Sequence, residues 1–316
     1  MLTKEEYLKK SSRDAYGIAL YDLASFDDKI VTVTADVPES VRFTKFRETW
    51  PERFFNFGIA EQNMMAAAAG LARTGKTPFV SVYAIFAAMR AIEQLRTDIA
   101  YPGLPVRVCV THSGISLGPA GPTHHSIEDI SILRSIANMT VIAPADGVST
   151  AMAMNAIKDY DGPVYMRLSR AVEPTVYSSM QTYQIGKANI IREGKDITIF
   201  AYGASVGNAL IAAASLAKDG IDVQVVDMAF IKPFDRDLIV ESANKTGTLL
   251  TVEEQTILGG LGSVVAEVLA EENIDVKFKR LGIPDQYTLA GPYEDLQQYY
   301  KLDPEGISQE ARKLLE

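Results

Sequence analysis

Short apolar segments alternate with segments of helical periodicity along the chain. The apolar segments show little polar alternation and predict buried strands at 30–35, 78–83, 106–110, 140–143 and 164–168. Apolar residues at helical spacing between them predict helices at 11–26, 62–73, 87–100, 127–136 and 147–159. Because apolar strands separated by helices are typical of parallel sheets covered on both faces, this half predicts a doubly wound α/β unit.

A polar, turn-rich stretch at 173–186 interrupts the alternation and predicts a linker. The same alternation resumes beyond it. Strands are expected at 197–202, 223–228, 248–252 and 276–281, and helices at 205–218, 235–244 and 262–272. We therefore expect two consecutive α/β domains with mainly parallel sheets, at 1–180 and 187–316. A length of 316 residues agrees with two domains.

Composition narrows the class of protein. The chain has 31 Lys and Arg against 40 Asp and Glu, a formal net charge of −9, so a basic nucleic-acid-binding surface is not expected. The longest apolar stretch, near 64–72, is too short to cross a membrane, and the first residues lack an apolar signal core. The single cysteine, Cys109, lies in an apolar run, which favours a buried strand residue over a nucleophile. A cytoplasmic protein is expected.

All three histidines, His112, His124 and His125, fall between Val110 and Ser126. They follow a predicted strand and a Gly/Pro loop, the positions where α/β sheets bind ligands. They are therefore candidates for polar contacts or acid/base groups at one cleft, although loop histidines bonded to backbone would give the same pattern. A zinc site is disfavoured because adjacent histidines point apart and no further ligand spacing supports it.

Glu61 is the second candidate, since it stands at a strand-to-helix junction before an Ala- and Met-rich run. The apolar setting is expected to raise the pKa of its carboxyl and suit it to holding a proton. A glutamate in a first helical turn, stabilised by the helix dipole, is the alternative.

Three further residues end predicted strands. Tyr83 and Phe86 could stack on a flat ring or simply pack in the core, and Arg170 could bind an anion or form a surface salt bridge. The glycine-rich stretches 203–207 and 258–262 each open a helix, but they lack dinucleotide-binding and P-loop spacing. The second stretch is interpreted as a tight turn with close helix–strand packing.

Several of these segments together resemble the transketolase family. NFGIAEQNMMAAAAGLA resembles the segment with its catalytic glutamate, SVYAIFAAMR its aromatic ring pocket, THSGISLGPAGPTHHSIEDIS its substrate histidine loop, and MRLSR its phosphate-contacting arginine. The second half resembles the family's C-terminal domain in ITIFAYGASVGNAL, VDMAFIKPFD and VEEQTILGGLG. The resemblance covers nearly the whole chain. It implies a thiamine-diphosphate pyrimidine-binding domain followed by a transketolase C-terminal domain.

The resemblance also assigns residues to roles. Glu61 would hydrogen-bond the aminopyrimidine of thiamine diphosphate and activate it, with Phe86 and Tyr83 packing the ring. His124 would bind hydroxyls of the donor ketose and act in catalysis. The remaining assignments are Asp36 near the cofactor, Ser40, His112 and Arg170 on the substrate phosphate, and one undecided basic residue among Lys9, Lys10 and Arg13.

The family's GDG motif, which helps to hold the diphosphate through a metal, is absent from the sequence. The resemblance therefore implies the C-terminal subunit of a split transketolase. A separate N-terminal subunit would hold Mg²⁺ or Ca²⁺ and complete the cofactor site, in an α2β2 complex built on a dimer of this chain. The implied reaction transfers a two-carbon ketol unit between phosphorylated ketose and aldose substrates.

Two positions depart from the family pattern. Ala120 replaces the usual Asp before Gly-Pro-Thr-His, and His125 stands where Gln is common. A modified, branched or deoxy ketose is therefore possible. Half of a deoxyxylulose-phosphate synthase or a 2-oxoacid dehydrogenase β subunit is an alternative, because IAEQ and AIEQLR also resemble the synthase. A non-catalytic scaffold would need neither Glu61 nor His124.

Overall fold

The protein is described here by a computed structural model covering residues 7–316. The first six residues of the expected segment 1–180 lie outside this range. The strands are β1 (Ile30–Thr34), β2 (Phe54–Asn56), β3 (Thr77–Ser81), β4 (Arg107–Val110), β5 (Thr140–Ile142), β6 (Val164–Arg167), β7 (Asn189–Arg192), β8 (Ile197–Ala201), β9 (Val223–Asp227), β10 (Phe230–Lys232), β11 (Thr248–Thr256) and β12 (Lys277–Ile283).

Helices cover both sheets. They are α1 (Ser12–Phe26), α2 (Thr44–Thr49), α3 (Glu61–Arg73), α4 (Ile92–Gln94), α5 (Asp129–Ser135), α6 (Gly147–Ile157), α7 (Ala204–Leu216), α8 (Arg236–Thr246), α9 (Leu261–Glu271), α10 (Tyr293–Tyr299) and α11 (Pro304–Leu315). Short 3₁₀ turns lie at Pro51–Arg53, Gly118–Ala120 and Ala217–Asp219.

The first sheet has seven strands in the order β10-β5-β6-β4-β3-β1-β2. Its neighbouring strands are parallel except for β10 and β5, which pair antiparallel. Strand β10 comes from the second half of the chain, so the sheet of the first half is completed by a later segment. The expected α/β fold with mainly parallel sheets is confirmed. The crossing of β10 was not predicted, because three residues are too few to show a pattern.

The second sheet has five strands in the order β12-β11-β8-β9-β7. Only β7, which the sequence pattern also missed, pairs antiparallel, on β9. The four predicted strands of this half are present, and β11 extends to Thr256 rather than ending at Val252.

Apolar side chains on the two faces of the sheets form two hydrophobic cores. Phe79 and Val80 of β3 belong to different cores, as expected for neighbouring residues of a strand. Each core also includes strands of the second sheet, with Ile199 in one and Phe200 in the other. The two halves of the chain are therefore packed together through shared cores.

The linker is fastened between the two halves by buried polar contacts. Tyr177 and Tyr183 donate hydrogen bonds of 2.6 and 2.8 Å to one carboxylate oxygen of Asp227. Asp146, which caps α6, accepts from the backbone N–H groups of Val176 and Tyr177. The polar composition that predicted a linker thus includes residues with specific buried partners.

The predicted helix 87–100 forms with a different geometry. It consists of wide π-type turns at Phe86–Arg90 and Leu95–Ala100 on either side of α4. Such turns occur often at functional sites, because they change which side chains face a cleft. Here the first wide turn contains both Phe86 and Arg90.

Candidate active site

The candidate residues of the first half gather at the carboxyl ends of parallel strands. Ser40 lies in the loop after β1, Tyr83 just beyond β3, and His112 just beyond β4, while Glu61 begins α3 after β2. Ligands of open α/β sheets bind at this edge. The fold therefore brings together residues that lie as much as 72 positions apart in the sequence, from Ser40 to His112.

Glu61 is buried, with 3% of its surface exposed, at the first position of α3. Its two carboxylate oxygens lie 2.9 and 3.0 Å from Nη1 of Arg90. The expectation of an almost wholly apolar pocket is therefore wrong, because a cation contacts the carboxylate. Arg90 itself is half exposed, with 49% of its side chain accessible.

Aromatic rings line the space next to Glu61. Tyr83 and Phe86 are stacked, with ring centroids 6.0 Å apart and planes at 18°. His112 lies against Tyr83 at 4.1 Å, and His124 meets Phe86 edge to face at 5.5 Å. The structure thus joins the predicted aromatic pair and two of the three histidines in one group.

The position of Arg90 shows which kind of group can occupy the space between Glu61 and Phe86. Its guanidinium carbon lies 4.5 Å from the Phe86 ring centroid while the same group donates to Glu61. A planar, N–H-bearing group can therefore contact the Phe86 ring and the Glu61 carboxylate at once. These are the two contacts expected for an aminopyrimidine, so the residues present fit the ring of thiamine diphosphate.

His112 is held neutral in a cationic environment. Burial, followed by the charges of Arg13, Arg170 and Arg42, lowers the pKa of its ring to about 3. Nη1 of Arg13 lies 3.4 Å from Nε2 of His112, and Nδ1 lies 2.8 Å from the Thr111 hydroxyl. Because arginine can only donate, Nε2 accepts and the proton resides on Nδ1.

The same cationic group reaches Ser40. The Tyr83 hydroxyl donates to the Ser40 hydroxyl at 3.1 Å, and Arg13 lies 3.4 Å from the Ser40 carbonyl oxygen. Burial, followed by the charge of Arg42, lowers the pKa of Arg13. Of the undecided basic residues, Arg13 joins this cluster, whereas Lys9 and Lys10 are exposed. Several cations around Ser40 and His112 make a suitable site for an anionic group.

Arg170 lies beyond the end of β6, close enough for its charge to lower the pKa values of Arg13 and His112. Its side chain is exposed, and its backbone N–H lies 3.3 Å from the Ser116 hydroxyl oxygen. Arg170 also lines a cavity of about 530 Å³ between the two halves, together with Asn208 and Tyr293. It therefore borders the cation cluster rather than lying at its centre.

The adjacent histidines point to different surroundings. His124 is half-buried, its Nδ1 lies 3.0 Å from the Thr123 hydroxyl, and its ring faces Phe86. His125 is buried and contacts Gly118 and Thr288 instead. Only His124 is available to a molecule in the cleft.

Asp36 is exposed in the loop after β1 and has a positive φ of 61°. Its backbone N–H donates to the Asn56 side chain at 2.9 Å, and Asn56 donates back to its carboxylate at 3.2 Å. This pair fixes the loop between β1 and Ser40.

The glycine-rich segment at 258–262 is confirmed as a turn against the helix. The buried Glu253 carboxylate accepts from the N–H groups of Leu261 and Gly262, each at 2.9 Å, at the beginning of α9. The N–H groups at the N-terminus of this helix thus have hydrogen-bond partners within the chain.

Cys109 is buried in β4, and burial raises the pKa of its thiol to about 12, as expected for a packing residue.

Sequence reasoning missed Arg90 as a site residue. It follows Phe86 by four positions, the spacing that places two helical side chains on one face, and this signal could have identified it. Arg42 was also missed. It has a positive φ of 67° and pairs with Asp14, and its charge acts on both Arg13 and His112.

Within residues 7–316, no group of three or more His, Cys, Asp or Glu side chains is arranged to hold a metal ion. Over the same residues, no helix has the length and apolar character needed to cross a membrane.

Fold and site together define a thiamine-dependent enzyme unit of the α/β class. Residues 9–174 match the transketolase pyrimidine-binding domain, and residues 186–307 match the transketolase C-terminal domain. The chain belongs to the transketolase family.

Relatives of similar length support this assignment. A protein of Methanocaldococcus jannaschii named as a transketolase C-terminal section is 42% identical over 309 residues, covering 97% of this chain and 96% of its own length. A 6-deoxy-6-sulfo-D-fructose transketolase subunit of Clostridium sp. is 38% identical, covering 96% of this chain and 94% of its own. A solved structure titled as a split gene transketolase, inactive beta4 tetramer, is 42% identical, with a TM-score of 0.86 over 96% of this chain and 98% of its own.

Other relatives are longer. The 1-deoxy-D-xylulose-5-phosphate synthase of Syntrophotalea carbinolica is 40% identical over 302 residues, covering 95% of this chain but only 47% of the synthase. The chain therefore spans about half the length of these enzymes.

Proposed function

We propose that this chain is the C-terminal subunit of a thiamine-diphosphate-dependent transketolase that moves a two-carbon ketol unit between sugar phosphates. The observation that best supports this is the buried Glu61 carboxylate facing the Phe86 ring, with a planar cation between them. Beside it lie His124 and a cluster of cations suited to a phosphate. The full-length relatives named as transketolase sections or subunits also support the proposal.

Each residue then has a chemical task. When bound, thiamine diphosphate supplies the electron sink for breaking and making bonds beside a carbonyl group. Glu61 holds a proton at its carboxylate oxygen and shares it with the ring nitrogen, a task that requires Arg90 to move aside. Phe86, supported by Tyr83, orients the ring by stacking. Asp36 fixes the neighbouring loop through Asn56.

The substrate is proposed to lie across the histidines. His124 hydrogen-bonds the hydroxyls of the ketose and serves as the second catalytic group. Arg13, Arg170, His112 and Ser40 bind the phosphate, since charge-assisted hydrogen bonds from guanidinium groups are stronger than neutral ones. In the free subunit Nε2 of His112 accepts from Arg13, so a hydrogen bond from His112 to a phosphate oxygen requires the neutral ring to change tautomer and donate from Nε2.

A partner subunit is proposed to hold Mg²⁺ or Ca²⁺ and the diphosphate. The support is that this chain matches the pyrimidine-binding and C-terminal domains, and that its longer relatives have about as much sequence again. We propose two copies of this chain and two partner chains, and the tetramer named for the similar structure agrees with self-association.

A cytoplasmic location is also proposed, because the chain has one buried thiol and cannot form an internal disulfide.

The substrate is proposed to differ from ordinary pentose phosphates. Ala120 gives the loop no carboxylate to bind a sugar hydroxyl at the family's usual Asp position. A relative named as a 6-deoxy-6-sulfo-D-fructose transketolase subunit supports the proposal of an altered ketose. A deoxyxylulose-phosphate synthase activity is the second candidate, because those enzymes are equally similar in sequence.

The test is co-expression with the candidate N-terminal subunit from a neighbouring reading frame. Ketol transfer from a ketose phosphate, with no turnover by this chain alone, is the expected result. Use of pyruvate as the donor would establish the synthase instead. Native mass measurement should give an α2β2 complex, whereas a fully active 1:1 pair would contradict the assembly. Binding of the partner without any turnover on either donor would indicate a scaffold.

A further inference from the structure

His125 connects the histidine loop to the second half of the chain. Its Nδ1 lies 2.7 Å from the Thr288 hydroxyl, and its Nε2 lies 3.0 Å from the Gly118 carbonyl oxygen. Both side chains are buried, His125 with 1% and Thr288 with 5% of their surface exposed. The two contacts use both nitrogens of the ring, so no atom of His125 is free to bind a substrate.

The direction of each hydrogen bond follows from the partners. The Gly118 carbonyl can only accept, so the ring proton resides on Nε2. Burial lowers the pKa of the ring, which therefore carries a single proton, and Nδ1 accepts from the Thr288 hydroxyl. The Gly118 carbonyl thus selects the tautomer, and the Thr288 hydroxyl, by donating to Nδ1, holds the ring in one orientation.

Close packing supports the same contact between segments. Gly118 has a φ of 50°, and a Cβ there would lie 2.8 Å from the Gly291 carbonyl oxygen. Gly121 has a φ of 72°, and a Cβ there would lie 3.1 Å from Cβ of Ala290. The loop and the segment that contains Thr288 therefore meet with little free space at Gly118 and Gly121.

Thr288 is itself fixed. The neighbouring Leu289 N–H donates to the Tyr300 hydroxyl at 3.1 Å, which ties the segment to the end of α10. On the loop side, the N–H groups of His124 and His125 both donate to the Gly121 carbonyl, at 2.9 and 3.0 Å. Because the two histidines share one turn, the inward anchor of His125 sets the outward direction of His124.

We propose that His125 and Thr288 are positioning residues through which the C-terminal domain orients His124 toward Phe86. The proposal rests on the proposed function only for the substrate role of His124, because the geometry of the anchor does not depend on it. Neither residue touches the cleft. Their effect on the reaction is exerted through the direction of the neighbouring ring.

The experiment compares Thr288→Val, which keeps the shape and removes the hydroxyl, with the matched control Thr288→Ser, which keeps the hydroxyl. The first measurement is NMR of the full chain with labelled histidine and phenylalanine. The wild type and Thr288→Ser should show His125 protonated on Nε2 and a nuclear Overhauser contact between the His124 and Phe86 rings. Thr288→Val should shift the Nδ1 resonance of His125 and weaken that contact.

The second measurement is ketose turnover by the complex with the partner subunit. Thr288→Val should lower kcat/KM roughly 3- to 10-fold, mainly through KM, as expected for one lost neutral hydrogen bond. Exchange of the thiazolium C2 proton should stay unchanged, since Glu61 is not involved. His125→Gln, which can still accept and donate, should retain more activity than His125→Leu.

The outcomes separate the two proposals. An unchanged His124–Phe86 contact in Thr288→Val would overturn the positioning role, whatever the enzyme does. The positioning role would also be wrong if Thr288→Val and Thr288→Ser lost activity equally and only in proportion to a lower unfolding temperature. A wild-type complex without ketol transfer would contradict the proposed function while leaving the NMR result to decide on the anchor.

Discussion

Arg90 and Glu61 form an ion pair at the centre of the site, with one guanidinium nitrogen 2.9 and 3.0 Å from the two carboxylate oxygens. Glu61 is buried and Arg90 is half exposed. The arginine therefore neutralises a buried charge in the free subunit and can still swing toward solvent. Binding of a ring on Phe86 requires this movement, because the guanidinium covers the same aromatic face.

The strength of this ion pair can be measured by a double-mutant cycle. Arg90→Met leaves a buried carboxylate unsatisfied and should lower the free energy of unfolding by about 1–3 kcal/mol. In the double variant with Glu61→Gln the losses should not add, with a coupling of about 0.5–3 kcal/mol in urea unfolding. The exposed pair of Arg236 and Glu271 is the matched control, for which about 0–1 kcal/mol is expected. Equal coupling in the two pairs would show that burial of Glu61 adds nothing.

Glu61→Gln should abolish most cofactor activation while leaving the fold intact. Glutamine keeps the size and hydrogen bonding of the side chain but cannot exchange a proton with the ring. Exchange of the thiazolium C2 proton in deuterated water, on the complex with the partner subunit, should slow about 10²- to 10⁴-fold. Glu241→Gln, at an exposed position of α8, should exchange at the wild-type rate. If the C2 proton of Glu61→Gln exchanges within a few-fold of the wild-type rate, Glu61 has only a structural role at the start of α3.

Arg13→Ala and Arg170→Ala should weaken binding of phosphorylated substrates more than the chemical step. A charge-assisted hydrogen bond contributes about 1.5–3 kcal/mol, so kcat/KM should fall roughly 10- to 150-fold, mostly through KM. Arg13, whose side chain is 13% exposed, should have the larger effect, since Arg170 is exposed. Arg73→Ala, at the exposed end of α3, is the control. If kcat/KM for unphosphorylated sugars falls by the same factor, the assignment of Arg13 and Arg170 to the substrate phosphate is wrong.

Stability should fall as pH rises from about 4 to about 7 because of Asp227. Burial raises the pKa of this carboxyl to about 7 in the folded protein, against 3.8 as the ordinary value. A raised folded-state pKa means that the neutral form is favoured by folding. The stabilisation is complete below the unfolded pKa and is lost as pH rises through the folded one, on the order of a few kcal/mol in total.

The check for Asp227 is urea unfolding at several pH values. Asp227→Asn can still accept from Tyr177 and Tyr183, and it should unfold with a smaller pH dependence between pH 4 and 7 than the wild type. Glu173, whose pKa burial raises to about 8, should add a similar loss up to that pH, and Glu173→Gln removes it. Parallel curves for the wild type and Asp227→Asn would mean that Asp227 is already ionised without cost.

The sequence pattern predicted most of the strands and the longer helices as far as residue 281, but it missed α2, α10 and α11. Strands β1 and β8 consist of β-branched and apolar residues buried throughout, and β4 is likewise buried and is apolar except for Arg107. The positions of all three were predicted within one residue at each end. Strands β2, β7 and β10 were missed, because three or four residues hold too little periodicity to separate a strand from a turn. Their pairing partners lie elsewhere in the chain, which local patterns cannot indicate.

The grouping of side chains in the candidate site was predictable where residue type and strand end coincide, as for Tyr83 beyond β3 and His112 beyond β4. The contact of Arg90 with Glu61 was not, because it depends on a wide helical turn and on the packing of α3 beside it. The choice of Arg13 over Lys9 and Lys10 likewise required the direction of α1. The sequence thus indicated which residues belong to the candidate site, whereas the ion-pair and hydrogen-bond partners of those residues follow only from the three-dimensional structure.

The antiparallel pairing of β10 with β5 has a consequence for dissecting the protein. Removal of everything after the linker would take the outermost strand from the first sheet and leave the backbone N–H and C=O groups of β5 open along one side. Such an unprotected edge invites pairing with other chains. A fragment of the first half alone is therefore a poor reagent for binding studies, and a usable one would need Phe230–Lys232 supplied as a tethered or added peptide.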